Sequence, residues 1–126
     1  PSLSAEGRYV AFTSRASNLV VDDTNEKTDV FVFDRETHEI ERASSNSEGA
    51  EGNDASQSPS ISENGRLVAF ESKARNLSPN DANGKTDIFI YHRETEVTER
   101  ISVDSTGIGG NGNSTNPSIS ANGRYV

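Results

Sequence analysis

Two oxygen-rich loops contain the residues of this sequence that are best suited to chemistry. They read Asp-Thr-Asn-Glu-Lys-Thr-Asp over residues 23–29 and Asp-Ala-Asn-Gly-Lys-Thr-Asp over residues 81–87. Oxygen donors at the first, third and seventh positions of such a loop can converge on a hard cation such as calcium. The sequence therefore provides six candidate metal ligands: Asp23, Asn25, Asp29, Asp81, Asn83 and Asp87.

The fifth position of each loop favours a structural turn over a calcium site. A calcium loop usually has another oxygen ligand there, whereas this sequence has Lys27 and Lys85. An ammonium group would compete with the cation for the same carboxylates. In the alternative, the Asp and Asn side chains bind their own backbone, and Asp29 and Asp87 begin the strand that follows. The sequence predicts no cofactor other than this calcium candidate.

The sequence has no recognisable catalytic pattern. It contains no cysteine and no Gly-x-Ser-x-Gly motif, and its glycine-rich run over residues 107–112 does not end in the Lys-Ser/Thr of a phosphate loop. His38 and His92 occupy different positions in the repeated units described below, so each is expected to be an ordinary surface histidine. No catalytic residue is predicted, and an enzyme is not expected.

The charge balance argues against two classes of partner. Twelve basic and twenty acidic residues give a formal net charge of −8, and such a surface repels phosphate backbones and anionic lipids. Nucleic acid is therefore not an expected partner. The apolar runs are no longer than four or five residues, so neither a membrane-inserted helix nor a signal peptide is predicted.

The chain is built from a repeat of 58 residues. Pro1-Ser2-Leu3-Ser4 returns at residues 59–62 and again at residues 117–120, and 29 of the 58 aligned positions of the first two units are identical. We therefore divide the chain into a first unit (residues 1–58), a second unit (residues 59–116) and the beginning of a third (residues 117–126).

Each unit is predicted to form four antiparallel strands and no long helix. The Pro-Ser-Leu/Ile-Ser segment is the first strand, since proline at a strand's first position removes no required donor. The other predicted strands are Arg8–Ser14, Val30–Phe33 and Glu39–Ala43 in the first unit, and Arg66–Ser72, Ile88–Tyr91 and Val97–Val103 in the second. The Ser/Gly/Asn-rich stretches Ser44–Ser58 and Asp104–Asn116 are predicted to be connecting loops.

The third strand of each unit indicates how the sheets assemble. In Val30-Phe31-Val32-Phe33 every residue is apolar, and because successive side chains alternate between faces, both faces of the sheet are apolar. Sheets of this kind are covered on both sides when they stack around an axis as the blades of a β-propeller. The predicted fold is therefore all-β, with two propeller blades per chain.

The repeat resembles a known family at two motifs. Residues 59–70 read Pro-Ser-Ile-Ser-Glu-Asn-Gly-Arg-Leu-Val-Ala-Phe and residues 87–91 read Asp-Ile-Phe-Ile-Tyr, which is similar to the TolB-type β-propeller repeat. The resemblance implies a six-bladed ring with a protein-binding role in the bacterial envelope, or a non-catalytic domain fused to an enzyme. It also implies a periplasmic or extracellular location.

The recurring arginines allow two interpretations. Arg8, Arg66 and Arg124 begin the second strand of their units, and Arg42 and Arg100 lie on the fourth. They could line a central channel and bind an acidic peptide. The favoured alternative is ion pairing with recurring acids such as Asp29 and Asp87, worth about 0–1 kcal/mol per exposed pair.

These observations predict a non-catalytic scaffold that associates with itself. Three copies would supply six blades and bind a protein or peptide ligand, with a carbohydrate-binding propeller or a domain of a larger secreted hydrolase as alternatives. Residues 117–126 repeat residues 1–10, so both segments cannot occupy one position in a closed trimer. Strand exchange, another blade number or origin in a longer chain would each remove this conflict.

Overall fold

The computed structural model of the chain, which describes residues 1–79 and 81–126, contains two four-stranded antiparallel sheets. The strands of the first sheet are β1 (Ser2–Leu3), β2 (Tyr9–Ser14), β3 (Asp29–Asp34) and β4 (Ile40–Arg42), and those of the second are β5 (Ser56–Ile61), β6 (Leu67–Ser72), β7 (Asp87–His92) and β8 (Val97–Arg100). Within each sheet the strands are adjacent in chain order, which confirms the predicted pair of four-stranded units. In both described ranges, no helix combines the length and the apolar character needed to cross a membrane.

The first strand of the second sheet begins earlier than predicted. β5 begins at Ser56, inside the stretch predicted to be a loop, and its pairing with β6 is interrupted by a bulge between Gln57 and Ser60. Ser58 in this bulge has a φ of +55°. A bulge is one of the few places where a strand accepts proline, because the missing N–H removes no ladder bond there. The bulge thus allows the strand to continue through Pro59.

The two sheets stack face to face around one hydrophobic core. Ala11, Val30 and Val32 lie on the side of the first sheet that meets the second sheet, where they join Phe70 and Phe89 in a single buried cluster. All five side chains have at most 1% of their surface exposed. The predicted need for a neighbour at an apolar sheet face is therefore met between the two units.

The contacts between units repeat along the chain with the same 58-residue offset. The Ile61 amide donates to Ser2 Oγ at 3.1 Å, and the Ile119 amide donates to Ser60 Oγ at 3.1 Å. The Ala5 amide donates to the Glu63 carbonyl at 3.1 Å, and the Glu63 amide donates to the Ala121 carbonyl at 3.0 Å. Residues 117–126 therefore lie on the second unit as the second unit lies on the first.

Residues 117–126 keep the turn of their predecessors but form no strand. The Ser120 amide donates to the Tyr125 carbonyl at 2.8 Å, as the Ser4 amide donates to the Tyr9 carbonyl at 3.0 Å. A strand needs a neighbour to pair with, and no strand of the described residues lies beside this segment.

We expect Gly65→Ala to destabilise the contact between the units. Gly65 has a φ of +72°, and a Cβ there would lie 2.1 Å from Cδ2 of the Tyr9 ring. The substitution should cost about 1–2 kcal/mol of left-handed strain and about 1–3 kcal/mol more of overpacking. Gly107→Ala is the matched control, because Gly107 has a φ of +85° with no atom within 4 Å of its added Cβ. Equal losses in urea unfolding would contradict the close approach.

Candidate functional site

The predicted calcium loops are hydrogen-bonded turns with the asparagine amide facing the aspartate. Asn25 Nδ2 donates to Asp29 Oδ2 and to the Gly52 carbonyl, both at 2.9 Å, and Asn25 Oδ1 accepts from the Lys27 amide at 2.6 Å. The second loop repeats this, with Asn83 Nδ2 2.9 Å from both Asp87 Oδ2 and the Gly110 carbonyl. In this arrangement each asparagine presents a donor, not an oxygen ligand, to the neighbouring carboxylate.

A serine that sequence reasoning did not identify holds the other oxygen of each buried aspartate. Ser44 Oγ donates to Asp29 Oδ1 at 2.6 Å and accepts from the Val30 amide at 3.1 Å. Ser102 Oγ makes the same bonds to Asp87 Oδ1 and the Ile88 amide, at 2.6 and 3.1 Å. Both aspartates are fully buried. The recurrence of this serine at the 58-residue offset is the sequence signal that could have revealed it.

An arginine supplies the positive charge beside each group of acids. Arg100 Nη1 lies 3.2 Å from Asp81 Oδ1 and 3.7 Å from Asp87 Oδ2. Burial and the charge of Asp87 raise the pKa of Asp81, so the guanidinium group compensates two carboxylates that would otherwise repel each other. The predicted ion pair between Arg100 and Asp87 is thereby confirmed.

The first unit arranges its arginine differently. Arg42 Nη1 lies 3.0 Å from Glu51 Oε2. The equivalent of Glu51 in the second unit is Gly109, where an added Cβ would lie 2.8 Å from Arg100 Nη2. Without a carboxylate at that position, Arg100 turns to the loop acids. Burial and the charge of Asp29 raise the pKa of Asp23, which lies beside this pair.

In the part of the chain that the structure describes, no group of three or more Asp, Glu or His residues is arranged to hold a metal ion. Calcium binding at the six candidate residues stays a prediction.

We expect calcium to leave the melting temperature unchanged, because Arg100 already faces the acids of the second loop. Thermal melts with and without calcium measure this. Titration calorimetry measures binding directly, and Arg100→Gln is the variant that removes the competing charge. Heat of binding and a raised melting temperature in the unaltered protein would establish the cation site.

A groove of about 710 Å³ lies between the two units. Alternate connections of an antiparallel meander lie at the same end of the sheet, so the turns that follow β1, β5 and β7 meet at one end of the stack. We call this the turn groove and define it by residues 4–9, 63–66 and 93–94. It contains charges of both signs, from three arginines and three glutamates.

The arginines of the turn groove are held by acids that the sequence did not predict. Arg8 makes a bidentate contact to Asp34, with Nη2 2.7 Å from Oδ2, and Arg66 Nε lies 3.0 Å from Glu94 Oε1. The suggested pairing with Asp29 and Asp87 is wrong for these two arginines, because those acids lie buried at the opposite ends of β3 and β7.

Tyr9 is held at the junction of the two units by arginines. The Arg93 guanidinium lies 4.1 Å and the Arg8 guanidinium 4.9 Å from the centre of its ring. Arg93 also pairs with Glu41 and donates to the Gly65 carbonyl at 2.7 Å. These contacts join β4 of the first unit to the turn after β7 of the second. Side chains from both units therefore fix the position of Tyr9 in the turn groove.

The two histidines take no part in such a cluster. His38 is an exposed turn residue with a φ of +61°. His92 is partly buried, with Nε2 3.6 Å from Glu99 Oε2. Because His92 lies at the position equivalent to Asp34, Arg66 has no bidentate partner among the described residues and remains largely exposed.

We expect Asp34→Asn to flatten the acid dependence of stability. The hydrogen-bonded Arg8 guanidinium holds the pKa of Asp34 well below its ordinary value. A carboxyl group with a lowered pKa in the folded state stabilises the fold above its unfolded pKa of about 3.9 and loses that contribution as the pH falls towards the folded pKa. Urea unfolding between pH 2 and 6 measures the change. Glu36→Gln, at an exposed partner of the same arginine, is the control and should keep the dependence.

Comparisons with known proteins identify the fold. No protein-family model matches the sequence, and no curated protein is significantly similar to it. The structure is similar to that of TolB from Acinetobacter baumannii, with a TM-score of 0.57, 18% identity, and coverage of 98% of this chain and 24% of that one. A TolB structure from Agrobacterium tumefaciens gives a TM-score of 0.51 at 17% identity, covering 79% of this chain and 28% of that one.

The chain therefore spans about a quarter of the length of the two TolB structures. At this level of identity the similarity concerns the fold and leaves activity and partners open. It agrees with the resemblance found in the repeat motifs: the two four-stranded sheets have the fold of TolB-type β-propeller blades.

Proposed function

We propose that this chain is a non-catalytic β-propeller segment that associates with itself, three copies forming a six-bladed ring that serves as a scaffold for a protein or peptide ligand. The observation that carries the proposal is an apolar face on the outer side of the first sheet. We call it the open face; it consists of Leu3, Val10, Phe12, Leu19, Phe33 and Ile40.

The open face corresponds residue by residue to a buried face of the second unit. The equivalents at the 58-residue offset are Ile61, Val68, Phe70, Leu77, Tyr91 and Thr98, all of them buried. Leu3, for example, is 62% exposed, whereas Ile61 is 6% exposed. At about 25 cal/mol per Å², covering a few hundred Å² of such a surface would contribute several kcal/mol.

A second copy of this chain offers a suitable partner for the open face. The inner face of the first unit, which covers the second unit, contains Ala11, Val30 and Val32. Its equivalents on the far side of the second unit are Ala69, Ile88 and Ile90, which are at most 8% exposed in the single chain. The far side therefore has the same kind of small and branched apolar residues as the inner face, and we propose that it packs on the open face of the next copy in a head-to-tail contact, which closes when the rotation between copies is suitable.

Charge at the rim supports the same pairing. Arg93 of the second unit pairs with Glu41 of the first. At the contact between copies, the equivalent residues are Arg35 of one copy and Glu99 of the other, and both are exposed in the single chain. Opposite charges would therefore meet at the position where the internal contact already has an ion pair.

The mass in solution tests self-association. We expect a species of about 41 kDa, three times the 13.6 kDa of one chain, by light scattering. Phe33→Arg should give monomers, because it places a charge on the open face. Val21→Arg is the matched control: Val21 is 97% exposed and lies outside this face. A cooperatively melting monomer of the unaltered chain would contradict the ring.

The turn groove is the surface we propose for the ligand. It combines paired charges with exposed polar turns and would be repeated around the ring. A protein or peptide ligand is favoured over a carbohydrate because Tyr9, the aromatic residue of the groove, already has two guanidinium groups over its ring. A glycan array tests the alternative, and binding there that is lost in Tyr9→Ser would favour carbohydrate. A periplasmic or extracellular location belongs to the same proposal.

A further inference from the structure

The turn after β3 contains a carboxylate site that the chain fills itself. Asp34 Oδ1 accepts hydrogen bonds from the Glu36 amide at 2.9 Å and the Thr37 amide at 3.4 Å. Arg8 adds two contacts, with Nε 3.1 Å from Oδ1 and Nη2 2.7 Å from Oδ2. The Arg8 guanidinium and the two amides hold the pKa of Asp34 well below its ordinary value. One guanidinium group and two backbone amides arranged in this way therefore favour a carboxylate.

The turn after β7 has the same backbone as the turn after β3. Each turn has a residue in the left-handed region at the same position, with a φ of +61° at His38 and +57° at Glu96. The Arg93 amide donates to the Arg66 carbonyl at 2.9 Å, which is also the length of the equivalent bond in the first unit. The backbone amides that follow β7 therefore take the same positions as those that hold Asp34.

The second unit lacks the carboxylate itself. His92 lies at the position equivalent to Asp34, and its Nε2 lies 3.6 Å from Glu99 Oε2 on β8. In the described part of the chain, the amides of Glu94 and Thr95 have no hydrogen-bond acceptor. A cavity of about 180 Å³, which we call the side pocket, is lined by Asn64, Arg66, Leu67, His92, Glu94 and Thr95. The position that a carboxylate fills in the first unit is thus open in the second.

The side pocket also has fewer acids than the equivalent positions of the first unit. Those six positions contain three acids in the first unit and only Glu94 in the second. The two differences are Asn64 in place of Glu6 and His92 in place of Asp34. Arg66 therefore has a single acidic contact among the described residues, to Glu94, and its side chain is 63% exposed.

We propose that the side pocket binds a carboxylate group of the peptide or protein ligand, held by the Arg66 guanidinium and the amides of Glu94 and Thr95. The side pocket adjoins the turn groove, because Asn64, Arg66 and Glu94 line both. A peptide in the groove can therefore place an acidic group in the pocket. This inference rests on the ligand-binding role proposed for the turn groove and specifies the chemical group that is recognised there.

Glu94 changes its contact with Arg66 when the carboxylate binds. Glu94 Oε1 now lies 3.0 Å from Arg66 Nε, whereas the equivalent Nε of Arg8 contacts Asp34. Glu36, the equivalent of Glu94, instead contacts Nη1 of Arg8 at 2.8 Å. Glu94 can take that second position and leave Nε and Nη2 to the ligand. Because both side chains of this pair are more than 60% exposed, the exchange costs little.

Titration with acetate, followed by NMR spectroscopy of the backbone amides, tests the side pocket in the unaltered chain. Sodium chloride at the same ionic strength is the reference. We expect acetate, but not chloride, to shift the amide resonances of Glu94 and Thr95 in a saturable way. The amides of Glu36 and Thr37 are the internal control and should not respond, because Asp34 already occupies their site. The absence of a saturable shift at Glu94 and Thr95 would overturn the inference.

Two variants exchange the open and the filled site. His92→Asp gives the second unit an internal carboxylate, so the amides after β7 should lose their response to acetate and the melting temperature should rise. Asp34→Ala opens the site of the first unit, so the amides after β3 should begin to respond. Arg66→Gln should weaken acetate binding by about tenfold or more, because it removes the bidentate contact. A response after β7 that is unchanged in both His92→Asp and Arg66→Gln would contradict the pocket.

Three short peptides separate this inference from the proposed function. Acetyl-Gly-Gly-Asp-Gly-Gly-amide has its carboxylate on a side chain, acetyl-pentaglycine has it at the end of the chain, and acetyl-pentaglycine amide has none. Binding that requires either carboxylate supports the inference and shows which kind is preferred. Equal binding of all three peptides in the turn groove would overturn the carboxylate pocket and leave the groove as a peptide site. The mass in solution decides the ring separately, because all residues that line the side pocket belong to the second unit of one chain.

Discussion

Phe70→Ala is expected to lower the free energy of unfolding by about 3–5 kcal/mol, the usual loss for a fully buried phenylalanine. Phe70 has no exposed surface and stacks on Phe89, with ring centres 5.8 Å apart. Both rings belong to the core shared by the two units. The substitution therefore removes contacts within the second sheet and between the sheets. Urea unfolding, followed at a protein concentration where the chain is monomeric, measures the loss.

Phe12→Ala is the matched control. Phe12 has the same position in the first unit and also packs on a neighbouring phenylalanine, Phe31, with ring centres 5.9 Å apart, but it lies on the open face and is only partly buried. In the monomer its loss should be clearly smaller than that of Phe70→Ala. At concentrations where the ring forms, it should also weaken association. Equal losses in the monomer would contradict the assignment of a covered and an open face.

Asp87→Ala is expected to cost about 3–5 kcal/mol, the usual loss when one partner of a buried ion pair is removed. The carboxylate accepts hydrogen bonds from Ser102 and Asn83 and lies beside Arg100. Its removal leaves the Ser102 and Asn83 donors without their acceptor. It also takes away one of the two carboxylates that compensate the charge of Arg100, whose side chain has little contact with water. Thermal and urea unfolding both measure the loss.

Glu94→Ala is the control for the buried cluster. Glu94 pairs with Arg66, but both side chains are more than 60% exposed, and such pairs contribute about 0–1 kcal/mol. Comparable losses for the two variants would show that Asp87 acts as a surface charge. A large loss for Asp87→Ala together with no calcium binding would show that the repeated loop of each unit stabilises its sheet.

Local patterns in the sequence were sufficient to predict the strands and the blades. Alternation of side chains makes a run such as Val30–Phe33 apolar on both faces, and that requirement holds whatever the rest of the chain does. The 58-residue repeat then implies that both units form the same strands and pack in the same way. The start of β5 was not predictable in this way, because the bulge that admits Pro59 depends on pairing with β6.

The partners of the charged side chains depended on the tertiary structure. Arg8 and Arg42 occur at repeated positions, yet they pair with Asp34 and Glu51, neither of which is repeated in the second unit. Long side chains reach acids on neighbouring strands and loops. The distances in space between those elements cannot be predicted from the separation of the residues along the chain. The same is true of Ser44, whose hydroxyl reaches Asp29 only after β3 and the loop behind β4 have come together.

The sequence by itself determined that this protein is a repeated, all-β chain with apolar surfaces on both sides of each sheet, because strand periodicity and repetition are properties of neighbouring residues. Only the tertiary structure decided which of those surfaces are covered. Stacking buries the inner face of the first unit against the second unit and leaves the outer face of the first unit open, because no sheet of the described chain lies on that side.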